Sequence, residues 1–247
     1  MDRLLYTSMS GINRVLDAQA QNAGNIANAS TTAFKAAMSA SVESPVDGAG
    51  MPTRVSVASQ AGGADLSQGA LVSTGNPLDV AVRGSGWMVV QSPDGGEALS
   101  RRGDLNIDAN GLLRTGAGNP VLGDGGPIAV PPSSSVTVGD DGTISVVPLG
   151  QGPEAPAQVD RIRLVDPDPA GLQRGTDGLF RTADGQAPAP DADVRLLSGH
   201  LESSNVNKAD AMVEMISLAR QFEVQVRMMR IANDNADSAA RLMRMQG

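Results

Sequence analysis

The sequence predicts an α+β fold, in which N- and C-terminal helices form a coiled-coil-like assembly domain around a central, mainly β domain. Apolar residues recur at alternating steps of three and four near both ends of the chain, which is typical of one helix face. The long middle carries short apolar runs and frequent turn signals, which are typical of β structure. These patterns divide the chain into a helical assembly domain of residues 1–36 plus 204–247, a linker or extended arm at 37–66, and a β-rich domain at 67–203.

The first helix is predicted over residues 3–28, a stretch without proline in which Gly11 and Gly24 are the only glycines. Its apolar residues follow a heptad spacing that polar Gln19 and small Ala23 interrupt. The predicted assembly face of this helix consists of Leu5, Met9, Ile12, Leu16 and Ile26.

The last helix is predicted between Lys208 and Gln246, where neither glycine nor proline occurs. Asn207 is expected to cap its start, with Asp210 three residues later as the second half of a capping box. At about 1.5 Å per residue, about 38 residues make a helix roughly 57 Å long. The predicted assembly face of this helix consists of Met212, Met215, Ala219, Phe222, Val226, Met229, Ala236 and Met243.

The two helix faces differ in length, and this difference predicts further partners. A pair formed within one chain would leave much of the longer C-terminal face exposed, so other subunits are expected to cover the rest. An isolated heptad helix is marginal in water because its nucleation is costly, so both ends are expected to gain order as subunits dock. The alternative explanation of the same periodicity is an ordinary two-helix bundle packed onto the middle domain.

The middle of the chain reads as short strands. Residues 78–82 alternate apolar and polar side chains, and residues 87–90 form a compact apolar run. Short strands that are joined by tight turns predict meanders and small barrels. The turn signals are Asp94-Gly95, Asn110-Gly111, Asp141-Gly142, Asp177-Gly178 and Asp184-Gly185.

The charge distribution restricts the possible partners. The net charge is −8, yet residues 1–38 hold three bases against two acids and residues 205–247 hold six bases against five acids. The acidic charge therefore lies in the middle, which disfavours nucleic acid and anionic membranes as partners.

The chain has no cysteine, no apolar stretch of about 18 residues, and no apolar core of a cleavable signal near its start.

Few residues in the sequence suggest chemistry. His200 is the only histidine and reads as a strand residue, so zinc is not expected. Residues 106–111 resemble the front of a calcium loop, but Ala117 stands where a bidentate Glu is needed, and a hairpin explains the same residues. Gly84-Ser85-Gly86 leads into a predicted strand, whereas a dinucleotide loop leads into a helix. No catalytic residue, cofactor or metal is therefore predicted.

Two other functional classes fit the same pattern of helices and strands. One is a secreted β-rich enzyme with helical ends for oligomerisation, although it would need convergent carboxylates and usually aromatic side chains for sugar. The other is a cytoplasmic coiled-coil scaffold with a β insert.

Five segments resemble the flagellar rod and hook family, and they occur in the family's order over nearly the whole chain. They are residues 22–35 (NAGNIANASTTAFK), 75–87 (GNPLDVAVRGSGW), 90–95 (VQSPDG), 101–111 (RRGDLNIDANG) and 199–207 (GHLESSNVN). The residues that carry the resemblance are Asn25, Asn28, Phe34, Asn76, Pro77, Leu78, Asp79, Gly86, Trp87, Ser204, Asn205 and Val206.

The resemblance implies a structural subunit of the proximal rod, with the distal rod as the alternative. Such a subunit assembles axially through its terminal helices, transmits torque and forms the wall of the export channel. The implied partners are copies of itself, other rod proteins and the flagellar type III export apparatus. The implied location is the periplasmic rod of the basal body, reached without a cleaved signal peptide.

One position departs from the family's pattern. Ala33 stands where the family usually has glycine. If the backbone there requires a positive φ, alanine would cost about 1 kcal/mol.

Overall fold

The computed structural model describes residues 2–45, 55–150 and 156–245. Helix α1 (Asp2–Ala27) begins the chain and helix α2 (Lys208–Met245) ends it. The chain divides into two compact units. The helical unit comprises Met1–Ala27, Ala37–Gly63 and Asn207–Gly247, and the β-rich unit comprises Asn28–Ala36 and Ala64–Val206.

The segment that was expected to be a linker or arm contains two strands. Strands β1 (Ala37–Pro45) and β2 (Val55–Ala64) pair with each other in a two-stranded sheet. Residues 46–54 between them lie outside the described residues. The predicted boundaries of the three parts stay a prediction, while the compact units place most of this segment with the helices.

Helices α1 and α2 pack against each other in antiparallel orientation. The side-chain amide of Asn22 donates a hydrogen bond of 2.7 Å to the carbonyl oxygen of Ala211 near the start of α2. At the other end of the contact, a Cβ atom on Gly11 would lie 3.2 Å from the side chain of Gln225. Glycine at position 11 therefore allows the two helices to approach closely.

The coiled-coil part of the predicted fold class is wrong, although the α+β class agrees with the structure. Among the described residues, one helix stands at each end of the chain, and the buried apolar side chains of the two helices, Val15 and Leu218, do not belong to the predicted heptad faces. Val15 and Leu218 are only 6% and 5% exposed, whereas Met9 and Met212 of the predicted assembly faces are 52% and 55% exposed in the subunit. The reason is that apolar residues occur in more than one heptad register on each helix, and periodicity does not reveal which register is covered.

The β-rich unit consists of short strands and one short 3₁₀ helix. Most strands have six residues or fewer, as the closely spaced turn signals predict. Its elements are β3 (Leu71–Ser73), β4 (Val80–Arg83), β5 (Trp87–Gln91), β6 (Glu97–Ser100), β7 (Leu105–Ile107), β8 (Leu113–Thr115), β9 (Leu122–Gly123), β10 (Gly126–Pro127), β11 (Ser133–Val138), β12 (Thr143–Pro148), β13 (Ala157–Arg161), β14 (Leu164–Val165), the 3₁₀ helix Pro169–Gly171, β15 (Leu172–Arg174), β16 (Phe180–Thr182), β17 (Arg195–Ser198) and β18 (His200–Glu202).

Antiparallel pairing joins distant parts of this unit. The largest sheet has the strand order β14-β5-β6-β16-β15, and a second sheet has the order β11-β12-β13. Strand β17 pairs with β4, and β18 pairs with β3 so that Glu202 lies opposite Leu71. The last strands before α2 therefore return to the first strands of the unit.

The core of the β-rich unit is mainly aliphatic, as the 2% aromatic content requires. Its larger cluster includes Val80, Met88, Ile144 and Leu196. A second cluster surrounds Trp87 and Phe180, whose rings lie 4.8 Å apart between centroids. In the described part of the chain, neither helix combines the length and the apolar character needed to cross a lipid bilayer.

Candidate assembly site

A fully buried cluster of three charged side chains lies inside the β-rich unit. One carboxylate oxygen of Glu202 lies 2.6 Å from Lys35 Nζ, and the other lies 2.8 Å from Arg101 Nε. None of the three residues is more than 2% exposed. Burial of unpaired charge is very costly, so each of these groups depends on the others for its stability.

Backbone groups complete the hydrogen bonds of this ion cluster. Lys35 Nζ donates to the carbonyl oxygen of Ser67 at 2.6 Å, and the backbone N–H of Gly69 donates to Glu202 at 2.9 Å. The Arg101 guanidinium donates to the carbonyl oxygens of Val82, Gly84 and Gly86. Removal from water lowers the pKa of Lys35, and the hydrogen bond and charge of Glu202 oppose this shift.

The sequence prediction missed these three residues. Each lies inside a segment that carries the family resemblance, yet Arg101 is separated from Glu202 by 101 positions and Lys35 by 167. In the sequence each of the three is only a charged residue, and a charged residue usually indicates a solvated side chain. Tertiary packing alone brings these charges together.

A short ladder of hydrogen bonds holds the two ends of the β-rich unit side by side. The N–H of Ala33 donates to the carbonyl oxygen of Glu202 at 2.8 Å, and the N–H of Asn205 donates to the carbonyl oxygen of Phe34 at 3.2 Å. The N–H of Ala36 donates to the side-chain oxygen of Asn205 at 2.8 Å. The chain segments that connect to α1 and α2 therefore leave this unit next to each other.

Ala33 adopts the left-handed conformation that the family's usual glycine would favour. Its φ is 53°, and no other non-glycine residue in the described ranges has a positive φ. The conformation is kept because the N–H of Ala33 bonds to Glu202 in the ladder. The structure thus meets the condition under which alanine is costly at this position.

Replacement of Ala33 by glycine is expected to raise the free energy of unfolding of the β-rich unit by about 1 kcal/mol, because glycine adopts this φ without strain. Urea unfolding followed by Trp87 fluorescence would measure the change. As a matched control, Ala70→Gly at an exposed position should lower the free energy by about 0.4–1 kcal/mol. An unchanged or lower stability for Ala33→Gly would contradict the strain.

Two asparagines that carry the family resemblance, Asn25 and Asn28, form hydrogen bonds at the end of α1. The side-chain oxygen of Asn25 accepts from the N–H of Ala37 at 2.8 Å, and its side-chain amide donates to the carbonyl oxygen of Ala37 at 2.9 Å. Asn28 accepts hydrogen bonds from the N–H and the hydroxyl of Thr31. Their roles in the structure are therefore local and conformational.

The Asn-Pro-Leu-Asp segment forms a tight turn before β4. The side-chain oxygen of Asn76 accepts from the N–H of Leu78 at 3.3 Å, and its amide donates to Asp79 at 3.1 Å. The carbonyl oxygen of Pro77 accepts from the Ser198 hydroxyl, and Leu78 packs against the larger core cluster. This turn ties β4 to its partner strand β17.

Gly86 and Trp87 lie beside the ion cluster. A Cβ atom on Gly86 would come within 2.3 Å of Val194, so a larger residue does not fit there. The Trp87 ring lies 5.7 Å from the Arg101 guanidinium, within the range of a cation–π interaction. Phe34 has a similar contact, because the Arg174 guanidinium lies 4.4 Å from its ring centroid.

The segment that precedes α2 is held by polar side chains. The Asn205 amide donates to the carbonyl oxygens of Asp65 and Ser67, at 2.8 and 3.2 Å. The Ser204 hydroxyl accepts from the N–H of Val206 at 3.2 Å. These bonds fix the backbone at the end of the β-rich unit.

Helix α2 has apolar side chains on two opposite sides. We call the side of α2 that lies toward α1 the inner face, and the opposite side, which is uncovered in the subunit, the outer face. Val213 and Val224 on the outer face are 68% and 53% exposed. The inner face comprises Ala211, Met215, Leu218, Phe222, Gln225 and Met229, and the outer face comprises Val213, Ile216, Arg220, Val224, Arg227 and Ile231.

Helix α1 is two-sided in the same way, with smaller side chains. Its inner face is buried or half-buried, whereas every residue of its outer face is exposed and none is charged. The inner face comprises Gly11, Val15, Ala18, Asn22 and Asn25, and the outer face comprises Met9, Asn13, Leu16, Ala20, Ala23 and Ala27.

The predicted assembly residues are distributed over several sides of the helices. Met215, Phe222 and Met229 lie on the inner face of α2, and Met9 and Leu16 lie on the outer face of α1. The half-buried residues beside the inner faces are Ile12, Ile26 and Val226, and the exposed residues between the two faces of α2 are Met212 and Ala219. The side chains of Leu5, Ala236 and Met243 lie outside the described residues.

Comparison with known proteins gives two matches to flagellar families. Residues 81–146 match the flagellar hook protein FlgE/F/G D1 domain, and residues 197–242 match the C-terminal region of the flagellar basal body rod FlgEFG proteins. The first match lies within the β-rich unit, and the second runs from β17 into α2.

Curated relatives match over longer stretches. The chain is 43% identical to the flagellar basal-body rod protein FlgF of Salmonella typhimurium over 99% of this chain and 100% of that protein. FlgF of Escherichia coli K12 has the same identity and coverage. FlgG of Buchnera aphidicola (Schizaphis graminum) is 33% identical over 64% of this chain and 62% of that protein.

Terminal helices with uncovered apolar faces and a β-rich middle define a structural protein of the flagellar rod and hook class. The start, residues 1–11, and the Gly86-Trp87 pair resemble FlgF, whereas FlgG usually carries Phe-Phe after that glycine. The full-length matches confirm this distinction, and the chain belongs to the FlgF family of flagellar basal-body rod proteins. It is a structural component of the basal-body rod and not an enzyme.

Proposed function

We propose that the chain builds the proximal part of the rod by docking its terminal helices onto neighbouring subunits. The docked helices line the export channel and carry torque along the rod axis. One observation supports this proposal most directly: α1 and α2 each cover one face with the other helix and leave the opposite apolar face open. An apolar helix face that remains in water is a surface for a partner.

The size of the outer face of α2 indicates that several contacts act together. Complete burial of its large aliphatic side chains, which are already partly covered in the subunit, would contribute on the order of 5 kcal/mol per contact. Association itself costs about 4–15 kcal/mol, so one such contact is too weak to hold a subunit. A tube in which every subunit touches several neighbours provides the additional contacts.

The partners in this proposal are copies of the chain and other rod proteins. Export proceeds through the flagellar type III apparatus without a cleaved signal peptide, and assembly takes place in the periplasm. The absence of cysteine from the sequence suits passage as an unfolded chain into an oxidising compartment. The expected ordering of the termini during assembly stays a prediction, and the α1–α2 contact would contribute part of that order within each subunit.

Replacement of Val224 by aspartate is expected to reduce the amount of the protein in purified hook–basal bodies at least tenfold and to abolish motility. The side chain is exposed in the subunit, so folding should change by no more than about 0.5 kcal/mol, while a charge at the docking surface blocks burial. Asn233→Asp, which adds the same charge at another exposed position of α2, should leave motility normal. Motility of the Val224→Asp strain would contradict the proposed docking.

A further inference from the structure

We infer that the outer face of α1 in one copy docks antiparallel on the outer face of α2 in a second copy, with Asp17 of the first beside Arg220 of the second. This inference rests on the proposed function and specifies which surfaces meet. It is supported by unpaired charges, by the sizes of the side chains, and by the axial register of the helix pair within the subunit.

The outer face of α2 carries two arginines among its apolar residues. Arg220 and Arg227 are exposed, and neither forms an ion pair with any residue that the structure describes. Exposed arginines within an apolar stripe favour a partner that brings both apolar surface and a carboxylate. Asp17 supplies such a carboxylate, because it is exposed beside the outer face of α1 and likewise has no ion-pair partner in the described ranges.

The sizes of the side chains on the two outer faces are complementary. The outer face of α1 presents small residues at Ala20 and Ala23, whereas the outer face of α2 presents β-branched residues at Val213 and Ile216. The inner contact within the subunit also combines small and large side chains, because the inner face of α1 includes Gly11 and Ala18 and that of α2 includes Leu218 and Phe222. An outer contact would therefore repeat a packing that this chain already forms.

The relative direction of the two helices in the outer contact, and their alignment along the helix axis, follow from the inner contact between α1 and α2. We take neighbouring copies to be related by rotation about an axis parallel to their helices, without a shift along that axis. Such copies keep the same polarity and the same level, so α1 of one copy runs antiparallel to α2 of the next. Within the subunit, Asn22 contacts Ala211 and Gly11 lies against Gln225. The two residues of each pair therefore lie at the same position along the helix axis. Interpolation between these two contacts places Ala20 level with Val213.

The same interpolation brings the charged residues together. Asp17 falls within one helical turn, about 5.4 Å, of Arg220, which is within reach of a long guanidinium side chain. Leu16 then lies within one helical turn of Ile216. The register that aligns small residues with large ones therefore also pairs the two unmatched charges.

Charge reversal tests this pairing. Asp17→Arg and Arg220→Asp should each reduce the amount of the chain in purified basal bodies at least tenfold, and the double variant should return to within about twofold of the wild type. Trp87 fluorescence and circular dichroism should show that all three variants remain folded, because both residues are exposed and unpaired in the described part of the subunit. Normal incorporation of the single variants, or failure of the double variant to restore it, would overturn the inference.

Disulfide trapping tests the register directly, because the chain has no cysteine of its own. In cells that carry Ala20→Cys together with Val213→Cys, oxidation should join copies of the chain into dimers and higher multimers. The two positions lie on outer faces that point away from each other, so they cannot close within one copy. Ala20→Cys with Glu214→Cys is the matched control, since Glu214 is exposed at the same level on another side of α2.

The outcomes separate this inference from the function on which it rests. If the Ala20→Cys/Val213→Cys chain enters basal bodies normally but forms no multimers, the register is wrong and the proposed function stands. If Val224→Asp leaves motility intact, docking through the outer face of α2 fails, and the inference fails with it. Multimers from the test pair together with none from the control support the inference.

Discussion

Replacement of Glu202 by glutamine is expected to lower the free energy of unfolding of the β-rich unit by about 3–5 kcal/mol. The substitution keeps the size of the side chain but removes the negative charge that pairs with both Lys35 and Arg101, and both cations remain buried. The amide can replace only part of the lost hydrogen bonding, because Lys35, Arg101 and Gly69 all donate to the carboxylate. This position is therefore among the most sensitive in the unit.

Urea unfolding followed by the fluorescence of Trp87 would measure this effect, since Trp87 is the only tryptophan and lies beside Arg101. Asp177→Asn is the matched control, because the Asp177–Arg181 pair is partly exposed and should contribute less than about 1 kcal/mol. Lys35→Met should be less harmful than Glu202→Gln, since Glu202 would keep Arg101 as its partner. If Glu202→Gln matched the Asp177→Asn control, the ion cluster would not stabilise the unit.

Replacement of Phe222 by aspartate is expected to abolish motility and to exclude the chain from basal bodies. Phe222 lies half-buried on the inner face of α2, so the substitution places a charge between α1 and α2 and loses on the order of 2 kcal/mol of apolar burial. Helices α1 and α2 would then separate, and their outer faces would no longer be positioned to dock onto neighbouring subunits. The β-rich unit should remain folded, because its core and its ion cluster lie elsewhere in the chain.

Three measurements would check this prediction. A swarming assay reports motility, immunoblots of purified basal bodies report incorporation, and Trp87 fluorescence reports the folding of the β-rich unit. Asn233→Asp adds the same charge to α2 at an exposed position and should behave as the wild type. A motile Phe222→Asp strain would show that the inner contact is dispensable.

Much of the architecture could be predicted because its signals are local. The heptad spacing and the lack of proline predicted both helices, and Asn207 caps α2 through hydrogen bonds to the N–H groups of Ala209 and Asp210, as expected. The Asp-Gly turns predicted the short strands, and glycines 95, 111 and 142 have the positive φ that such turns require. Strands β1 and β2 were missed, because residues 37–66 combine small and polar side chains with little periodicity.

The covered face of each helix was a different problem. Helix α2 has apolar residues at 212, 213, 215 and 216, so apolar side chains surround much of its circumference. Several heptad registers therefore fit the sequence. The predicted register contains Met212 and Ala219, whereas the covered face contains the residues one position earlier, Ala211 and Leu218. The contact with α1 decides between these registers, because Gly11 allows a close approach on one side only.

The sequence by itself determined the family, the two terminal helices and the β-rich middle, because these depend on spacings and motifs within short stretches. Only the tertiary structure decided which helix faces are covered and where the buried charges meet. The physical reason is that burial is a property of pairs of surfaces. Lys35, Arg101 and Glu202 read as ordinary surface charges until the fold removes them from water together.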